Sequence, residues 1–180
     1  GIEIDVGFGL YQKGGAVGKT FFVNHLSLQG KKDGVTNVSL KALNSDNSKA
    51  ELNRKMVAKE TYSVDELIGV DHLDNETLKN FWTDPFLEFR PLYKDDPVRI
   101  ARRGIFLITT NENKILSASD TAMQRRFAFL EIDHSYIKEH GHINNKEAGG
   151  ISENLLQLFA EAKHFYDTNG GDDFVIDYLR

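Results

Sequence analysis

Apolar and small residues alternate at Val6, Phe8 and Leu10, a pattern that predicts a short buried strand ending near Gln12. Lys13-Gly14-Gly15-Ala16-Val17-Gly18-Lys19-Thr20 follows, and then Phe21, Phe22, His25 and Leu26 fall at helical spacing. Residues 30–37 are loop-like, and the alternation over Val38–Ala42 predicts a second strand. The polar stretch Ser45–Lys55 opens like a helix capped at Ser45 or Asp46. Val57–Val64 reads as a further strand that stops at Asp65-Glu66. Asp74-Asn75 then caps a helix whose inner face carries Leu78, Phe81 and Trp82.

The only prolines, Pro85, Pro91 and Pro97, mark residues 84–98 as irregular or hairpin-like, with Phe86, Phe89, Leu92 and Tyr93 as its anchors. Ile105–Ile108 is a compact apolar run of the kind buried on both faces of a parallel sheet. Ala128–Ile132 is the last expected strand, residues 140–150 a Gly/Asn-rich loop. Leu155, Leu156, Phe159, Ala162 and Phe165 mark an amphipathic helix. Strands alternating with helices indicate an α/β fold with a mainly parallel sheet flanked by helices.

At 180 residues with 40% hydrophobic side chains, the chain suits a single domain over 1–180 with a sizeable core. Lack of cysteine excludes a disulfide scaffold, thiolate metal sites and a cysteine nucleophile. No apolar run approaches the roughly 20 residues that cross a bilayer, so the expectation is a cytoplasmic protein with no membrane partner. The formal charge of −5 argues against a protein that coats nucleic acid. That average hides an asymmetry. Residues 1–129 carry 18 basic and 17 acidic side chains, whereas residues 130–180 carry 4 and 10. An anionic ligand belongs with the first two-thirds.

Gly18-Lys19-Thr20 sits between a predicted strand and a predicted helix, the context a phosphate-binding loop requires. In such a loop, backbone N–H groups of Gly14, Gly15, Ala16, Val17 and Gly18 wrap a β-phosphate, assisted by the helix N-terminus. Lys19 would reach the β/γ-phosphates, and the Thr20 hydroxyl would ligate Mg²⁺. One position departs from the motif: Lys13 stands where glycine is expected, and Gly14 can take over the turn while Lys13 is solvated. A second strand ending in acid should hold Mg²⁺. Tyr62-Ser63-Val64-Asp65-Glu66 fits, with Asp65 for the metal and Glu66 to polarise the attacking water.

Ile105-Phe106-Leu107-Ile108-Thr109-Thr110-Asn111-Glu112 is a buried strand ending in polar residues. Placed between the two motif strands, Asn111 would touch both γ-phosphate and water, with Thr110 in support. Arg125 and Arg126 would stabilise charge on the γ-phosphate, in cis or across a subunit boundary. Arg90, Lys94, Arg99, Arg102 and Arg103, interleaved with Phe89 and Tyr93, form a basic and aromatic group suited to a nucleic-acid strand. A bland exposed hairpin accounts for the same residues.

Taken in order, these stretches resemble the virulence-associated protein E family, AAA+-like P-loop ATPases related to superfamily 3 helicases. The resemblance rests on Gly14–Phe22, Tyr62–Leu67, Leu78–Phe81 with Phe89–Tyr93, Phe106–Glu112, Gln124–Phe127 and Phe159–Ala162 with Tyr166. It implies a P-loop NTPase fold and Mg²⁺-dependent ATP hydrolysis driving nucleic-acid translocation or unwinding, with single-stranded DNA as partner. It also implies a homo-oligomeric ring, hexameric in type, with an arginine donated to a neighbour's site, and a role in phage or mobile-element replication. The family usually couples this core to a primase-like module, here expected upstream of the residues present. Two other readings stay open: a partition-type ATPase, and a non-hydrolysing nucleotide-binding assembly module. Asp65, Glu66 and Asn111 together weigh against the latter.

Overall fold

A computed structural model of the chain describes residues 7–13, 18–25, 34–65, 73–91, 93–111, 127–132, 135 and 151–170. Among the described residues seven strands are formed: β1 (Gly7–Tyr11), β2 (Val35–Asn37), β3 (Thr61–Asp65), β4 (Phe86–Phe89), β5 (Val98–Ala101), β6 (Ile105–Thr110) and β7 (Phe127–Glu131). The helices are α1 (Lys19–His25), α2 (Asp46–Met56), α3 (Asn75–Thr83) and α4 (Ile151–Thr168), with a 3-10 turn over Leu40–Asn44. Five strands make one sheet in the order β2-β3-β6-β1-β7, and every pairing in it is parallel. The mainly parallel α/β reading holds. β4 and β5 stand apart as an antiparallel hairpin.

The core forms between this sheet and α3, α2, the 3-10 turn and β4. Asp74 caps α3 by accepting from the Thr77 N–H at 2.7 Å and from its hydroxyl at 2.7 Å. Those donors hold its carboxyl below the usual aspartate range. From that start Leu78, Phe81 and Trp82 turn inward and are buried. Trp82 meets Phe106 edge-on at 4.4 Å between ring centroids and Phe127 at 4.9 Å, so one indole bridges β6 and β7 across β1. β1 must be thin for these rings to fit. A Cβ built on Gly9 would stand 2.3 Å from the Phe129 ring. On the other side, Leu107 and Ile105 border a cleft shared with Phe159 of α4.

Two predicted elements are displaced. The second strand lies at Val35–Asn37 and not at Val38–Ala42. Val38 still donates to the Ser63 carbonyl at 2.7 Å, but Leu40 and Leu43 then enter the core from one 3-10 turn. Buried residues at a spacing of three, not two, decide that difference. α2 runs to Met56, with the predicted Ser45 cap accepting from the Ser48 N–H at 3.3 Å. Ala58 takes a left-handed φ of 60°, so β3 begins only at Thr61. Tyr93 is fully exposed and anchors nothing, while Leu92 and residues 140–150 lie outside the described residues. No described helix is long and apolar enough to cross a membrane.

Candidate functional site

Register brings the strand ends together. β6 lies between β1 and β3, with Tyr11 opposite Thr110 and Asp65 opposite Thr109. The carboxyl ends of all three strands are therefore level, at the edge where parallel sheets bind ligands. Gly18 has a φ of 86°, a left-handed conformation that glycine adopts without steric cost. Directly after it, α1 begins at Lys19, and the Phe22 N–H donates to the Gly18 carbonyl at 2.9 Å. That turn aims two consecutive side chains across the sheet edge.

Lys19 is 7% exposed, and its ammonium donates to Asn111 Oδ1 at 2.7 Å. A buried ammonium is costly unless it is hydrogen-bonded, so this contact places Lys19 and Asn111 as neighbours across 92 residues of chain. Thr20 Oγ1 donates to Asp65 Oδ1 at 2.9 Å. Thr109 Oγ1 donates to the same oxygen at 2.5 Å. One ammonium, one carboxylate, one side-chain amide and two hydroxyls thus converge from α1, β3, β6 and the residue that follows β6.

These contacts link residues the sequence reading had assigned to separate motifs: Gly18, Lys19 and Thr20 from the loop, Asp65 from the acidic strand end, and Asn111 from the polar strand tip. Gly14, Gly15, Ala16 and Val17 lie outside the described residues, as do Glu66, Arg125 and Arg126. Thr109, which the sequence reading did not single out, also meets the carboxylate. In β6 successive side chains alternate between the two faces of the sheet, so Thr109 and Thr110 point opposite ways. That parity is legible in the sequence.

The basic group at residues 90–103 divides. Arg102 donates from its two terminal nitrogens to the Phe81 and Trp82 carbonyls at 2.9 and 2.7 Å, and its guanidinium lies 5.0 Å from the Phe106 ring centre. It caps the carboxyl end of α3. Arg99 is exposed and stacks on Phe86 at 3.9 Å. Arg90, Lys94 and Arg103 are exposed on or beside the hairpin.

The profile of the virulence-associated protein E-like domain matches residues 1–176. The chain belongs to this family. No curated protein matches it. Two solved structures of the NrS-1 C-terminal region, both an A form without ligand, are similar over 84% of this VapE-like domain. One, covering 305–718 of that protein, is 22% identical with a TM-score of 0.55; the other is 21% identical with a TM-score of 0.57. At such identity the likeness concerns the fold. This VapE-like domain spans about a third of the length of each, 34%.

Proposed function

We propose that this VapE-like domain is the Mg²⁺-dependent ATPase core of a nucleic-acid motor that serves the replication of a phage or mobile element. The observation that carries the reading is the convergence of Lys19, Thr20, Asp65 and Asn111 at the carboxyl ends of three adjacent parallel strands. A P-loop NTPase fold of the AAA+-like type accounts for that placement: glycine-rich loop after β1, acidic residue at the end of β3, polar residue at the end of the strand between them. The family assignment and the likeness to the NrS-1 C-terminal region are consistent with it.

The residues fit a magnesium nucleotide. Mg²⁺ is usually held by one or two carboxylates together with substrate phosphates. Asp65 and Thr20 supply that donor set, and among the described residues no group of three or more His, Asp or Glu competes with it. When bound, Mg²⁺ neutralises charge on the β- and γ-phosphate oxygens. Lys19 would bind those same oxygens, with Asn111 as its neighbour. Asn111 orients the attacking water and Glu66 polarises it. Arg125 and Arg126 act on the γ-phosphate, one of them from an adjacent subunit of a ring. Exposed Arg90, Lys94, Arg99 and Arg103, with Tyr93 beside them, form the surface for single-stranded DNA.

ATP turnover by the full-length protein, with and without single-stranded DNA, tests this. Turnover should rise with DNA and fall to background in Lys19→Ala and Glu66→Gln. Turnover that is absent, or unchanged in both variants, removes the site assignment. Turnover indifferent to DNA replaces the nucleic-acid motor with remodelling of a protein partner.

A further inference from the structure

Resting on the nucleotide-site reading, we infer that Thr109 is a positioning residue for the metal carboxylate: its hydroxyl fixes Asp65 so that the carboxylate presents Oδ2 to the metal site. Oδ1 of Asp65 receives two hydroxyls, Thr20 at 2.9 Å and Thr109 at 2.5 Å. A carboxylate oxygen offers two lone-pair sites, and two donors fill them. Demand from a metal, or from water bound to it, is thereby directed to Oδ2.

The two donors differ in what holds them. Thr20 belongs to the first turn of α1. Thr109 belongs to the sheet interior, directly opposite Asp65 in the β3–β6 register and 2% exposed. Its β-branched side chain has few rotamers, and a hydroxyl this deeply buried requires a partner. Asp65 is that partner. The carboxylate is consequently aimed by the sheet itself and not only by α1, the arrangement by which outer residues tune metal affinity.

Thr109→Val keeps the shape and removes the donor; Thr109→Ser keeps the donor. Binding of Mn²⁺ in the presence of ADP, read by electron paramagnetic resonance, should weaken about 10-fold in the valine variant and stay within about threefold of wild type in serine. ADP binding in EDTA should change less than about twofold in either, which a general structural loss would not allow. Thr109→Ala carries the same expectation as valine if valine disturbs folding, as judged by circular dichroism. Equal Mn²⁺ binding in wild type and valine overturns the inference, and so does equal weakening of Mn²⁺ and metal-free ADP binding. A wild-type protein that binds ADP without Mn²⁺ coordination also overturns it. No ADP binding by wild type at all overturns the nucleotide-site reading itself, a distinct failure.

Discussion

Arg102→Ala separates the part of the basic group that builds the fold from the part offered to a ligand. The substitution removes two charge-assisted hydrogen bonds, 2.9 Å to the Phe81 carbonyl and 2.7 Å to the Trp82 carbonyl, and a guanidinium 5.0 Å from the Phe106 ring centre. Hydrogen bonds to a charged group contribute about 1.5–3 kcal/mol each. Arg102 is half-buried, so screening keeps the pair at the low end, about 2–3 kcal/mol together. For a chain of this size that lowers the melting temperature by about 5–10 °C. Arg102→Lys should recover less than half, because an ammonium cannot span two carbonyls as a planar fork does. Thermal unfolding followed by circular dichroism reads the stability, and fluorescence anisotropy of a labelled oligonucleotide below the transition reads binding. The expected result is a lower melting temperature with unchanged DNA affinity. An unchanged melting temperature, or weaker DNA binding at unchanged stability, would refute the assignment of Arg102 to α3.

The converse holds at the hairpin: Arg90→Ala with Lys94→Ala should leave the melting temperature alone and reduce the salt slope of single-stranded DNA binding by about 1.4, the value for two phosphate contacts. An unchanged slope removes these residues from the interface. Gly9→Ala should destabilise by about 1–3 kcal/mol in urea titration, since its methyl would meet the Phe129 ring 2.3 Å away; an unaltered midpoint contradicts the packing described for β1. Asp74→Ala should lower the melting temperature at neutral pH. Because the folded Asp74 carboxyl titrates below its ordinary value of 3.8, its contribution is complete above that value and is lost as pH falls through the depressed one. The gap between variant and wild type should therefore close in strong acid, and a gap that persists there would place the effect elsewhere.

Element types were legible wherever local chemistry and burial agree. Ser45 and Asp74 announced their helices because a side-chain oxygen at the cap satisfies an otherwise orphan N–H. Ile105–Ile108 announced β6 because a strand covered on both faces has no polar alternation. Misplacement occurred where tertiary contacts overrode pattern. Val38, Leu40 and Ala42 alternate like a strand, yet the core takes Leu40 and Leu43 from a tight turn. Nothing in Val57-Ala58-Lys59 signals the left-handed Ala58 that delays β3.

The cluster at the strand ends was legible through the polar residue types that close β3 and β6 and open α1. Contacts among Lys19, Asn111, Thr20 and Asp65 depend on the level ends of β1, β6 and β3, a register no local spacing encodes. Arg102 shows the complementary difficulty. A guanidinium on a helix end and one aimed at a phosphate look alike in sequence, and only the position of the Phe81 and Trp82 carbonyls distinguishes them.

Isothermal titration of the protein with MgATP, beside Lys19→Ala, measures the central claim most directly. Lys19 supplies a charge-assisted bond worth about 1.5–3 kcal/mol, so its loss should weaken binding about 10- to 150-fold. Saturable binding by wild type with that loss in the variant is the result the account predicts. No binding by wild type, or equal affinity in the two proteins, would contradict it.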